Sequence, residues 1–172
     1  MMTSIGKRIK FEKPMDKQYL TNNGIVVTPS RKFHEHSQVT DSLLKVAISS
    51  ESNVIEDAYK KGEKVAITHS FPMIVGVTHC VACPPHTPGV YFKRRGDRPY
   101  LSRMVKGKPI DTNQLTFVLY PQTDRMTLIT AWVGGQSCPE VGNINRFEDE
   151  ENPVEKLKES VDFWMNHALV EE

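Results

Sequence analysis

Leu115-Thr-Phe-Val-Leu-Tyr120 and Met126-Thr-Leu-Ile-Thr-Ala-Trp-Val133 are two runs rich in β-branched and aromatic residues, joined by Pro121-Gln-Thr-Asp-Arg125. Runs of that composition and length, separated by a short link holding a proline and an aspartate, predict an antiparallel hairpin. If Pro121 to Arg125 is the loop, Tyr120 pairs with Met126 and Thr116 falls opposite Thr130. Because side chains alternate along a strand, that register places both hydroxyls on one face with Val118, Tyr120, Met126, Leu128 and Trp132.

Upstream of the hairpin the pattern stays strand-like. Val65-Ala-Ile-Thr68 and Met73-Ile-Val-Gly-Val-Thr78 flank Pro72, which marks a bulge, an edge or a break because proline cannot donate to a ladder. Val90-Tyr-Phe-Lys93 and Tyr100 to Val105 form a second hairpin around the turn Arg95-Gly-Asp-Arg-Pro99. Before these strands the period is helical. Thr40 is a cap candidate with Val39 and Leu44 at staple spacing, and Leu43, Leu44, Ala47 and Ile48 make an apolar face. A second helical segment, Val54 to Tyr59, stops at Lys60-Lys61-Gly62, where cations suit the helix C-terminus and glycine suits a left-handed cap. After the strands, Asn152-Pro153 opens a last helix to about Leu169, with Val154, Leu157, Val161, Trp164 and Ala168 on one face. Helices, then consecutive strands, then a helix predict an α+β fold: a curved antiparallel sheet of four to six strands packed on N-terminal helices and a C-terminal helix. Residues 1–38, with Pro14, Gly24, Pro29 and only Gly24-Ile-Val-Val-Thr28 suggesting order, are expected as an extended arm, and 39–172 as one domain.

Length and composition agree with that size. The chain has 172 residues, 38% hydrophobic and 25% charged, which suits a modest core and argues against a disordered chain. No window approaches the roughly 18 apolar residues of a spanning helix, and the basic start from Met1 to Pro14 lacks a secretory pattern, so no membrane is expected. Three cysteines are too few for a disulfide scaffold and favour a reducing compartment, the cytoplasm. Net charge is +1, yet Gly89 to Ile110 holds seven basic residues against one acid, and Phe147 to Glu172 holds nine acids against two lysines.

Three groups of residues invite chemistry. Cys80-Val-Ala-Cys83 with His86 and the distant Cys138 could ligate zinc, but a structural site normally shows a second close pair. The two cysteines are therefore expected as small hydrophobes at a strand end, with no metal and no cofactor. In the second group Tyr91, Lys93, Arg94, Arg95, Arg98, Tyr100 and Ser102 interleave aromatics, hydroxyls and guanidinium forks on a hairpin, as phosphates and unstacked bases require. A solvated edge needs fewer cations than this. The third group is His69 at the strand break with Thr116 and Thr130.

Several stretches, Tyr100-Leu-Ser-Arg-Met-Val-Lys-Gly-Lys-Pro109, Thr112-Asn-Gln-Leu-Thr-Phe-Val-Leu119, Leu128-Ile-Thr-Ala-Trp-Val-Gly134 and Phe163-Trp-Met-Asn-His-Ala-Leu169, resemble a group of small uncharacterised bacterial and phage proteins over about residues 64–170. In its arrangement of helix, basic antiparallel sheet and strand-borne His, Arg and Thr, the chain is also remotely similar to the barnase, EndoU, colicin and RelE class of metal-independent ribonucleases. That similarity implies a toxin-like enzyme cleaving RNA by transesterification, with His69 as acid or base, Arg103 with Arg94 and Arg95 clamping the phosphate, and Thr116 and Thr130 positioning the scissile group. RNA or another polyanion would be the substrate and a small acidic immunity or antitoxin protein the partner. The rival from a different class is a non-catalytic module that binds nucleic acid or protein through the same basic hairpin.

Overall fold

The structure, a computed structural model, describes residues 17–36, 38–94, 101–135, 148 and 150–171. It is α+β. Where the sequence suggests an arm over 1–38 and one domain beyond it, the chain divides into two compact units: residues up to Gly76 with Asp111–Gln136, and Val77–Ile110 with Ser137–Glu172.

The first unit is built on a five-stranded sheet curled as a half-barrel. Its strands are β1 (Tyr19–Leu20), β2 (Val26–Glu35), β3 (Val65–Ser70), β9 (Gln114–Pro121) and β10 (Met126–Val133), in the order β1-β2-β10-β9-β3. Two of these strands come from the segment expected as an arm. All neighbours are antiparallel except β2 and β10, which run parallel. Leu115, Phe117 and Leu119 of β9, fully buried, alternate with Thr116, Val118 and Tyr120, so one face of this interior strand is wholly apolar.

That face meets two helices, α1 (Asp41–Ser50) and α2 (Ser52–Lys61), through Leu44, Ala47, Ile48 and Ile55, none of which is solvent-exposed. The sequence signals for these helices hold. Thr40 Oγ1 accepts from the Leu43 backbone N–H at 3.2 Å, Val39 and Leu44 are both buried, and Gly62 adopts φ +66° to close α2. With Gly62 turned left-handed, Glu63 N–H reaches back to Ala58 O at 3.0 Å and satisfies a carbonyl that the helix end leaves open.

The β9–β10 hairpin forms, but its register differs from the expected one. Pro121 pairs with Met126, which shortens the loop by one residue, and an irregularity between Leu128 and Thr130 shifts the ladder again. Thr130 therefore lies opposite Val118, and Thr116 opposite Trp132. A bulge adds a residue on one strand only and so breaks any counting rule that runs through it. The run expected as a strand from Met73 is also shorter: only β4 (Gly76–Thr78) is extended, and it pairs with β8 (Ile110–Thr112).

The second unit holds a four-stranded sheet in the order β5 (Cys80–Ala82), β11 (His167–Glu171), β7 (Leu101–Lys106), β6 (Val90–Arg94). Its helix α3 spans Pro153–Asn166, with proline in the first turn as expected, but it ends before Leu169. His167 to Glu171 instead form a strand between β5 and β7, where its backbone groups find ladder partners on both sides. The buried face is also rotated from the expected one. Ser160 and Trp164 point inward, whereas Val154 and Val161 are exposed at 72% and 46%. Among the described residues no helix is long and apolar enough to cross a membrane.

Candidate nucleic-acid interface

The residues expected to form a catalytic group are dispersed. In the first unit, His69 pairs in register with Leu115 and shares the helix-packed face with Ile67. Its Nδ1 lies 2.8 Å from Glu51 Oε2, at the junction of α1 and α2, and its ring meets Phe71 edge-on at 4.7 Å. Thr116 points the other way. Fully buried, it donates to Gly134 O at 2.9 Å and lies 2.8 Å from Thr68 Oγ1 across the β3–β9 pair. Thr130 shares that opposite face but opposes Val118. His69 and the two threonines thus sit on opposite faces of one sheet and do not converge on a substrate. The sequence order hid this because Thr68 and His69 are consecutive on β3, and consecutive strand residues face opposite ways.

Arg103 belongs to the second unit and is 6% exposed. Its Nη1 lies 2.8 Å from Cys83 O, 2.9 Å from Trp164 O, 2.7 Å from Met165 O and 3.3 Å from His167 O, while Nη2 lies 3.3 Å from Pro84 O. A guanidinium has only N–H donors, and these are directed at main-chain carbonyls around the C-terminus of α3. In this geometry it caps the helix and joins it to the Cys83-Pro84 segment, so its fork is not open to a phosphate.

The remaining members of the basic hairpin divide by face. Tyr91 and Lys93 lie on one side of β6, opposite Met104 and Ser102 of β7. Ser102 is fully buried, and among the described residues neither its Oγ nor the buried Tyr91 hydroxyl has a hydrogen-bond partner. Neither reaches solvent as a binding group would. Lys93 is ion-paired with Glu171, and Lys106 Nζ sits 5.9 Å from the Tyr91 ring centroid. On this side the charges are answered within the molecule.

The other side of β6 is different. Phe92 and Arg94, two residues apart, share a face, and both are exposed, the phenyl ring at 64%. Neither side chain has a hydrogen bond, ion pair or ring contact among the described residues. Among the described residues β6 is the last strand of its sheet, and none of them forms a strand beyond it. Phe92 belongs to the basic hairpin in the sequence but is not among the residues that the sequence singles out there for binding. The signal that finds it is strand alternation: Tyr91 and Phe92 are adjacent, so only one can face inward, and only Phe92 shares the side of Arg94. Arg95, Arg98 and Tyr100 lie outside the described residues.

Cys83 is buried and Cys80 half-buried, with Cys80 on β5 and Cys83 just after it. Among the described residues no three His, Cys, Asp or Glu side chains are grouped to hold a metal ion, and Cys138 lies outside them. A cavity of about 590 Å³ in the first unit is lined by Tyr59, Lys60, Tyr120 and the Pro121–Thr123 turn. Two of its polar groups are already engaged, Tyr59 Oη with Thr123 O at 2.8 Å and Lys60 Nζ with Glu56 at 3.1 Å. No family model, curated protein or solved structure matches the chain.

Proposed function

We propose that this chain is a non-catalytic RNA-binding module whose contact surface is the outer edge of the second unit's sheet. The observation that carries the reading is the exposed pair Phe92 and Arg94 on one face of the edge strand β6, with no partner among the described residues. The sequence adds Arg95 and Arg98 just after it and Lys108 beyond, the last exposed. Clustered cations on one segment of a chain whose net charge is only +1 supply the electrostatic footprint that polyanion binding needs. Phosphate contacts release counterions, so affinity for RNA is expected to fall linearly with salt on a logarithmic plot. Arg94→Ala should lower that slope by about 0.7 for a single strand while leaving the melting transition unchanged. An unchanged slope places the phosphate contacts elsewhere. Absence of RNA binding at low salt leaves an acidic protein as the partner of this edge.

A ribonuclease remains the second reading, and one observation favours it: a carboxylate orients the His69 imidazole at 2.8 Å, as in base–orienter pairs of hydrolytic sites. It lacks a cation or hydroxyl on the same face among the expected residues. The pair also has a structural task, tying the α1–α2 junction to β3.

A further inference from the structure

We infer that the RNA taken by this edge is single-stranded, one unpaired base stacking on the ring of Phe92 while Arg94 holds an adjacent phosphate; the inference rests on the RNA-binding reading above. A phenylalanine at 64% exposure is an unusual residue to leave in water, and here it stands on a regular strand whose neighbours on the opposite face are engaged. Its backbone is fixed by the full β6–β7 ladder, in which Phe92 pairs with Arg103 and Val90 with Val105. Arg103 is itself held by five carbonyls, so the strand that β6 pairs with is anchored. An exposed aromatic ring on a paired strand offers a π-face, and with only two rotatable bonds the entropic cost of holding it is small.

Charge complementarity selects nucleic acid for that face. Two residues along the same side of a strand place Arg94 roughly 6–7 Å from Phe92, close enough for one nucleotide to meet both, base on ring and phosphate on guanidinium. Strand state follows from stacking. Inside a duplex each base has both faces covered by its neighbours, so a duplex can use the guanidinium but not the ring. Every base has a π-face, so little sequence preference is expected.

The test is fluorescence anisotropy of the full chain with a labelled RNA of about 12 nucleotides, as a single strand and as its blunt duplex, at one salt concentration. The single strand should bind more tightly. Phe92→Ala should weaken single-strand binding by roughly 5- to 150-fold and leave duplex binding unchanged, while Phe92→Trp retains it and Phe92→Leu behaves like alanine. A strand with abasic sites should lose about as much with the parent protein as the intact strand loses with Phe92→Ala. Equal affinity for strand and duplex, or a leucine variant that binds like the parent, overturns the stacking inference while RNA binding stands. Failure of both ligands to bind overturns the RNA-binding reading itself.

Discussion

Arg103→Ala should destabilise the second unit by about 3–5 kcal/mol, one of the two largest effects expected of any single substitution in the chain. The guanidinium is 6% exposed and within hydrogen-bond distance of five main-chain carbonyls, three of them at 2.9 Å or less. Truncation leaves those acceptors in a site that only partly admits water, and it removes a positive charge from the C-terminus of α3. Arg103→Lys should recover only part of the loss, because a compact ammonium cannot span carbonyls from two separate segments as a planar fork does. Urea unfolding followed by Trp164 fluorescence in a Trp132→Phe background reads the second unit alone, since each unit holds one of the chain's two tryptophans. A phosphate clamp would behave in the opposite way. Its removal would weaken RNA binding and leave the urea midpoint where it was.

Trp164→Ala is the second. The side chain is 5% exposed, packs on Cys80 and Leu169, and meets Phe163 edge-on at 5.1 Å. Loss of about 3–5 kcal/mol is expected on unfolding followed by circular dichroism, as for other buried aromatics cut to alanine. Val161→Ala, three residues earlier on the same helix, should change stability by less than about 0.5 kcal/mol because that side chain is 46% exposed. Comparable losses at both positions would mean that the helix docks through a different face. The Arg103 and Trp164 effects should not add, since the Trp164 carbonyl is one of the acceptors of Arg103.

What the sequence foretold and what it missed divide along local and non-local causes. Thr40, Val39 with Leu44, and Gly62 act within one or two turns of chain, and each does in the structure what its spacing predicts. The 115–133 hairpin is equally legible as a pair of strands, because its signal is composition and alternation. Its register is not, since the bulge at Leu128 to Thr130 depends on what β10 meets on its other side, the parallel strand β2. β2 itself carries Pro29 and Arg31 and leans on a partner about a hundred residues away, so nothing nearby announces it. The same holds for β11, whose helix-like sequence becomes a strand because β5 and β7 flank it.

The site shows the same division. That the hairpin from Val90 onward is the basic part of the chain was plain from counting charges. Which charges remain available was not, because that depends on Glu171, on the carbonyls of α3 and on which face of β6 each residue takes. The type and neighbourhood of Arg103 point to a ligand-binding group, but its carbonyl partners come from segments about 20 and 60 residues distant. Residue type groups His69 with Thr116, whereas strand parity sets them on opposite sides.

The most direct measurement is to incubate labelled single-stranded RNA with the parent protein at low salt in the presence of chelator, and to resolve the mixture on native and denaturing gels in parallel. The account predicts a retarded band on the native gel and full-length RNA on the denaturing gel. RNA cut into fragments by the parent protein but not by His69→Ala would contradict it and restore a catalytic role to the His69–Glu51 pair.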